Sequence, residues 1–264
     1  MAAKIIAVTN QKGGVGKTTT AVNLAASLGA VKKRVLLVDL DPQCNATIGS
    51  GISVKDIDFA AADLLLELIS VGGVIRNTRV GYDILPATPQ LTTAEIQLTK
   101  LDEREHKLSK QLETVESDYD FILIDCPPSL NILTVNALVA SHSVIIPIQC
   151  EYYALEGLAA LMGTIEQVRN VNSRLEIEGL LRTMYDGRNR LAQEVSAQLI
   201  EHFADKVYQT VIPRNVRLAE APSHGVPVLI YDRNSQGALA YLALAGEIVK
   251  KIEDSCRANY DQKK

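Results

Sequence analysis

The sequence has 264 residues, 47% of them hydrophobic, which is enough to bury one large core. Its formal net charge of -4 at pH 7 excludes a protein coated in basic residues for binding nucleic acid. The four cysteines, Cys44, Cys126, Cys150 and Cys256, form no CxxC pair, so reduced thiols are favoured over a zinc site or a disulfide framework.

Short apolar runs alternate with longer amphipathic segments along the chain. The runs are continuous rather than alternating in polarity, as in strands covered on both faces. The predicted strands are Ile5–Val8, Val35–Val38, Asp83–Leu85, Phe121–Ile124, Val144–Pro147 and Glu178–Arg182. The predicted helices are Thr18–Ala30, Thr92–Val115, Asn131–Ala140, Leu155–Val171, Gln193–Phe203 and a closing helix, Ser235–Ile252. This order predicts an α/β fold, a doubly wound and mostly parallel sheet with helices on both faces.

The whole chain, residues 1–264, is predicted to form a single domain, because it contains no internal repeat, low-complexity tract or linker. The polar tail, Glu253–Lys264, is expected to be frayed. The N-terminal residues run straight into a strand pattern without the apolar region of a signal peptide. No apolar run approaches the roughly 18 residues that a membrane-spanning helix needs, so a cytoplasmic location is expected.

A glycine-rich segment, Lys12-Gly13-Gly14-Val15-Gly16-Lys17-Thr18-Thr19, follows the first predicted strand and leads into the first helix. Glycines allow backbone N–H groups to wrap phosphate oxygens, and the N-terminus of the helix also favours an anion. In such a loop Lys17 contacts the β- and γ-phosphates, and the hydroxyl of Thr18 ligates Mg²⁺. Gln11 replaces the first glycine of the pattern G-x-x-x-x-G-K-[ST], and the variant K-G-G-x-G-K-[ST] is met instead. The segment predicts a site for ATP and Mg²⁺.

Two other predicted strands end in carboxylates. Asp39 and Asp41 follow the strand that begins at Val35, and Asp125 follows the strand that begins at Phe121. In open parallel sheets ligands bind outside the carboxyl ends of the strands. Asp125 is therefore expected to hold Mg²⁺ through a bound water. For Asp39 and Asp41 a capping role in a turn stays open.

The loop together with these strand ends resembles the deviant Walker A family of P-loop ATPases, whose members include ParA/Soj, MinD and the nitrogenase iron protein. The resemblance implies that Lys12 reaches the partner's nucleotide in an ATP-bound homodimer, which makes hydrolysis depend on dimerisation. It also implies that Asp41 acts on the water that attacks ATP, and that Asp39 is a supporting group near Mg²⁺. The catalytic residues that it implies are Lys12, Lys17 and Asp41.

Several further segments resemble the ParA/Soj branch in particular, namely Asn10-Gln11 and residues 41–47, 149–158, 212–217 and 220–225. The similarity extends over residues 4–249 and is weakest at 53–81, and Cys44 stands where glycine is usual. By this resemblance Pro213, Arg214 and Asn215 flank the adenine, and Arg217 contacts DNA without reading its sequence. Arg188 and Arg190 are further candidates for DNA contacts, in a segment that varies between members.

The resemblance implies an ATPase that partitions chromosomal or plasmid DNA. Its ATP-bound dimer is expected to bind double-stranded DNA non-specifically and to release it on hydrolysis, which a ParB-like centromere-binding protein stimulates. A slow basal rate and a nucleoid-associated location follow from this role. Composition alone supports the DNA contact only weakly, because residues 182–233 hold six Arg and one Lys against six acidic residues. A surface assembled from two subunits would double each patch.

Two other functions of the same family of ATPases make different demands on the sequence. A MinD-like positioning ATPase would bind the membrane through an amphipathic C-terminal helix, and Leu242, Leu244, Ile248, Val249 and Ile252 form an apolar stripe there. Core packing explains this stripe better, and no membrane partner is expected. An iron–sulfur reductase would need a companion for Cys126, which the sequence does not supply.

Overall fold

The computed structural model describes the backbone of residues 2–261 and the side chains of residues 2–254. The strands are β1 (Lys4–Val8), β2 (Val35–Asp39), β3 (Arg76–Asn77), β4 (Asp83–Leu85), β5 (Phe121–Asp125), β6 (Ser143–Gln149) and β7 (Glu176–Thr183). The helices are α1 (Lys17–Ala30), α2 (Asn45–Gly49), α3 (Ala61–Leu65), α4 (Val71–Val74), α5 (Leu91–Leu98), α6 (Lys107–Glu113), α7 (Ile132–Ala140), α8 (Ala154–Val168), α9 (Arg190–Phe203), α10 (Val216–Glu220), α11 (Val228–Tyr231) and α12 (Gln236–Asp261).

The strands form one seven-stranded sheet in the order β3-β4-β2-β5-β1-β6-β7. Every pairing is parallel except that of β3 with β4. Successive side chains of a strand point to opposite faces, and β5 shows this directly. Ile122 and Ile124 pack into one hydrophobic cluster, and Phe121 and Leu123 pack into the other. The doubly wound, mostly parallel sheet predicted from the sequence is confirmed.

The prediction of one long helix over Thr92–Val115 is wrong. The chain forms α5 and α6 with a short 3₁₀ turn, Arg104–His106, between them. The break is stabilised by Asn136 of α7, whose side chain accepts from the N–H of Leu108 at 3.0 Å and donates to the carbonyl of Arg104 at 2.8 Å. These bonds satisfy backbone groups that a continuous helix would have paired internally.

The C-terminal helix is longer than predicted. It begins at Gln236 and runs to Asp261 instead of ending at Ile252. The tail predicted to be frayed, 253–264, lies mainly outside the described part of the chain, since side chains are described only to residue 254 and the backbone to residue 261. The side chain of Cys256 also lies outside the described part.

The sheet brings the carboxyl ends of β1, β2 and β5 to one edge. Asp125, the last residue of β5, pairs in register with Val8 on one side and with Asp39 on the other. The glycine-rich segment leaves β1 at this edge, next to both carboxylates. The register of the parallel strands therefore places Asp39, Asp125 and the glycine-rich segment next to one another.

Candidate functional site

The glycine-rich segment forms a loop between β1 and the N-terminus of α1. Gly14 has φ 74° and Gly16 has φ 87°, a left-handed conformation that a Cβ disfavours. Asn10 anchors the start of the loop: its side chain donates to the carbonyl of Pro147 at 2.8 Å and accepts from the N–H of Lys12 at 3.0 Å. The first free N–H groups of α1 lie at the end of this loop, so the segment is built as an anion site.

Lys17, the first residue of α1, is buried with 7% exposure. Its ammonium donates to the carbonyl of Lys12 at 3.1 Å. Burial lowers the pKa of Lys17, and the nearby carboxylates of Asp125 and Asp41 partly offset that shift. An ammonium has three donors, so donors remain for phosphate oxygens.

Asp39 is fully buried, and the protein itself engages both of its carboxylate oxygens. One oxygen accepts from the N–H of Asp41 at 3.1 Å, and the other accepts from the N–H and the hydroxyl of Thr47 at 2.8 and 2.7 Å. Burial raises the pKa of Asp39 to about 6, although these hydrogen bonds oppose the shift. These contacts favour the capping role that the sequence left open: Asp39 holds the segment that carries Asp41.

Asp125 is the opposite case, because among the described residues no donor forms a hydrogen bond of normal length and angle with either of its buried carboxylate oxygens. Burial raises its pKa well above the usual range, and the charge of Asp39 adds to the shift. The nearby hydroxyl of Thr18 and the positive charge of Lys17 favour the charged form and offset part of this rise in pKa. A buried carboxylate without a partner is costly unless a cation compensates it. A carboxylate and a hydroxyl are also the hard oxygen donors that Mg²⁺ prefers, so these residues fit a magnesium ion.

Asp41 lies on the short segment after β2, and its side chain is largely buried with 7% exposure. Its Oδ1 accepts from the N–H of Gln43 at 2.9 Å, as in an Asx turn. The residue lines the cavity described next, so its carboxylate faces the space where a ligand would lie. A carboxylate in that position is suited to orienting a water molecule.

A cavity of about 550 Å³, large enough for a nucleotide, lies at this edge of the sheet. The phosphate loop and Asp41 form one part of its wall. Pro213, Arg214 and Asn215 form another part, so the structure brings the predicted adenine segment and phosphate loop to one cavity. Other lining residues were missed from the sequence, namely Asn45, Thr183, Met184, Ile212, Leu218, Ala219 and Tyr241. Asn45 and Ile212 lie in segments that resemble the ParA/Soj branch, but no local pattern marks the other five, which come from distant segments that only the fold brings together.

The structure places two residues of the loop outside this cavity. Val15 is buried with 1% exposure. The side chain of Lys12 is 40% exposed, and its ammonium pairs with the carboxylate of Glu151 at 2.6 Å. In a single subunit the side chain of Lys12 therefore pairs with Glu151 and does not line the cavity.

The three arginines suggested for DNA binding are exposed, and each one pairs with a carboxylate. Arg217 lies 2.7 Å from Glu220 and 3.3 Å from Asp232. The others form the pairs Arg188–Asp186 and Arg190–Glu194, both at 2.8 Å. Exposed pairs of this kind contribute only about 0–1 kcal/mol, so a phosphate can displace the carboxylate.

The apolar stripe of the C-terminal helix packs mainly against the protein. Leu244 and Ile248 are fully buried, and Val249 and Ile252 pack against the same hydrophobic cluster. Within the described part of the chain no helix combines the length and the apolar composition needed to cross a membrane.

Known proteins resemble this chain over most of its length. A family model described as an AAA domain matches residues 3–177. The sporulation initiation inhibitor protein Soj of Bacillus subtilis is 56% identical over 247 residues, which are 93% of this chain and 98% of that protein. The chromosome partitioning protein ParA of Caulobacter vibrioides is 48% identical over 255 residues, 95% of this chain and 96% of that protein.

Among solved structures, cobyrinic acid a,c-diamide synthase from Mycobacterium smegmatis, with a bound ATP analogue and magnesium, superposes with a TM-score of 0.84. The two chains are 34% identical, and the match covers 96% of this chain and 97% of that one. This similarity supports the fold, whereas the two sequence relatives described above are both chromosome-partitioning or Soj proteins. The chain belongs to the ParA/Soj family of chromosome-partitioning ATPases.

Proposed function

We propose that this protein is the ATPase of a DNA-partition system and works as an ATP-bound homodimer on non-specific double-stranded DNA. The observation that carries the proposal is that the phosphate loop, Asp41 and the segment 213–215 line one cavity, while the side chain of Lys12 lies outside it. A lysine outside its own site is available to a second subunit. The family of the chain adds the cellular role.

The arrangement supports hydrolysis of the γ-phosphate. Mg²⁺, held near Thr18 and Asp125, would supply charge neutralisation of the phosphates. Lys17 binds the β- and γ-phosphates from within the subunit, and Asp41 orients the attacking water. Lys12 of a second subunit completes the positive charge around the transferring phosphoryl group, so hydrolysis requires the dimer.

DNA binding and release follow from the same dimer. Pairing two subunits doubles the exposed arginines, including Arg217, and multivalent contact raises the affinity for the phosphate backbone. A ParB-like centromere-binding partner would stimulate hydrolysis and thereby release the DNA. The basal rate is expected to be slow, since the bound state must persist, and the protein is expected to be nucleoid-associated in the cytoplasm.

The experiment that tests the proposal measures binding of a non-specific DNA duplex by electrophoretic shift without nucleotide and with ADP, ATP or a slowly hydrolysed ATP analogue. Binding only with ATP or the analogue, falling steeply between two salt concentrations, is the expected result. If no nucleotide state binds DNA, the partition role is refuted. Binding to anionic liposomes in the same states would then favour the membrane-positioning alternative.

A further inference from the structure

Thr183, the last residue of β7, lines the nucleotide cavity and contacts the phosphate loop. Its hydroxyl donates a hydrogen bond to the carbonyl oxygen of Val15 at 2.8 Å, between residues 168 positions apart in the sequence. Thr183 is 2% exposed and Val15 is 1% exposed. Because water has little access to this contact, the carbonyl depends on the threonine for its hydrogen bond.

This hydrogen bond fixes the orientation of the peptide unit between Val15 and Gly16. The described chain contains no cis peptide bond, and in a planar trans peptide the C=O and the following N–H point in opposite directions. With the carbonyl held by Thr183, the N–H of Gly16 must point away from that hydroxyl. Gly16, with φ 87°, is a residue that permits several backbone conformations. The contact with Thr183 therefore stabilises one of the conformations that glycine permits at this peptide.

The opposite part of the cavity wall is attached to the same end of β7. The N–H of Ile212 donates to the carbonyl of Arg182 at 2.9 Å, and the N–H of Tyr185 donates to the carbonyl of Ile212 at 3.0 Å. The N–H of Arg214 then donates to the carbonyl of Tyr185 at 3.3 Å. Thr183 thus lies on the short segment to which both parts of the wall are bonded.

We propose that Thr183 is a positioning residue for phosphate binding: its hydroxyl orients the Val15–Gly16 peptide so that the N–H of Gly16 faces the bound phosphate. The inference rests on the proposed nucleotide site. Helix N-termini and glycine-rich loops bind anions through N–H groups that already point at the ligand. Without the bond, part of the binding free energy goes into ordering the loop.

The test compares Thr183→Val and Thr183→Ser with the wild type by titration calorimetry, using Mg-ADP and Mg-tripolyphosphate as ligands. Thr78→Val is the matched control, because the buried hydroxyl of Thr78 also donates to a backbone carbonyl, that of Tyr82, and Thr78 does not line the cavity. Thr183→Val should weaken both ligands about 10-fold, and Thr183→Ser should stay within about 2-fold of the wild type. Thr78→Val should lower the melting temperature but leave both affinities unchanged.

Three outcomes would overturn the inference while leaving the nucleotide site intact. These are unchanged affinity in Thr183→Val, an equal loss in Thr183→Ser, or an equal loss in the folded Thr78→Val control. If the wild type itself binds neither ligand, the proposed nucleotide function fails, and the role of Thr183 fails with it. The wild-type titration therefore separates the two failures.

Discussion

The ammonium of Lys12 lies 2.6 Å from the carboxylate of Glu151, and both side chains are about half exposed. Lys12 must leave Glu151 if it is to reach the nucleotide of a second subunit. Each dimer would open two such pairs, and an exposed pair contributes about 0.2–1 kcal/mol. The contact therefore opposes dimerisation weakly and does not forbid it.

We expect Glu151→Gln to strengthen ATP-dependent dimerisation roughly two- to thirtyfold, because this variant removes the competing partner of Lys12 in both subunits. Analytical ultracentrifugation with a slowly hydrolysed ATP analogue measures the dimerisation constant. Glu156→Gln, at an exposed position in the first turn of α8, is the control for the change in net charge. A weaker dimer in Glu151→Gln would show that Glu151 contributes to the interface instead.

Gly13→Val should leave the subunit folded and able to bind ATP but unable to dimerise. A Cβ built on Gly13 meets no atom within 4 Å, and Gly13 is not among the glycines with positive φ. The added side chain therefore meets no atom of its own subunit, and it would block a second subunit that approaches this loop as proposed. Nucleotide titration and light scattering check the two halves of this prediction. A dimer of Gly13→Val in the presence of ATP would contradict it.

Asp125→Asn should raise the stability of the ligand-free protein by about 1–2 kcal/mol, which corresponds to a Tm increase of a few degrees. The substitution removes a buried carboxyl group that lies beside Asp39 and that the nearby Thr18 and Lys17 compensate only in part. The same variant should bind Mg-ADP at least about 10-fold more weakly, while its affinity for ADP in EDTA changes little. Thermal melts and titrations with and without magnesium measure both effects.

Asp83→Asn is the contrasting control for Asp125. The carboxylate of Asp83 accepts from the side-chain amide of Asn77 at 2.7 Å and from the hydroxyl of Tyr119 at 3.0 Å. Replacing it should lower the stability of the protein, since an amide has one acceptor oxygen in place of the two that accept these hydrogen bonds. A lower Tm for ligand-free Asp125→Asn as well would mean that its charge is compensated within the protein.

The sequence predicts those features that local pattern determines. The continuous apolar strands and the glycine-rich segment are contiguous, so sheet, loop and strand-end carboxylates follow from spacing alone. Residues such as Thr183 and Tyr241 line the cavity only because β7 and α12 pack beside the loop, and no short pattern marks them. The break near Arg104 was missed for the same reason, because Asn136 stabilises it from another helix.

Cys44 shows a limit of a different kind. It has φ 58°, in the left-handed region that favours glycine. The resemblance places glycine at this position, and the structure supplies the physical reason for that preference. The pattern of apolar residues carries no information on a single dihedral angle. The sequence therefore shows that Cys44 replaces a glycine, but it does not show the left-handed backbone conformation at this position.

Arg217→Glu should abolish most ATP-dependent DNA binding while the basal ATPase rate stays near that of the wild type. Arg217 is about half exposed, pairs with Glu220 and Asp232, and does not line the nucleotide cavity. If each subunit of the dimer places one such arginine on a phosphate, the plot of the logarithm of the DNA-binding constant against the logarithm of the salt concentration should become less steep by about 2 in Arg217→Glu. Glu220→Gln should raise the DNA affinity, because it frees Arg217 from a competing carboxylate.

Arg34→Glu is the control, because it makes the same charge change just before the amino end of β2, where Arg34 pairs with Asp120 at 3.0 Å. Equal losses of DNA affinity in Arg217→Glu and Arg34→Glu would show a general charge effect, and full affinity in Arg217→Glu would place the DNA contact elsewhere.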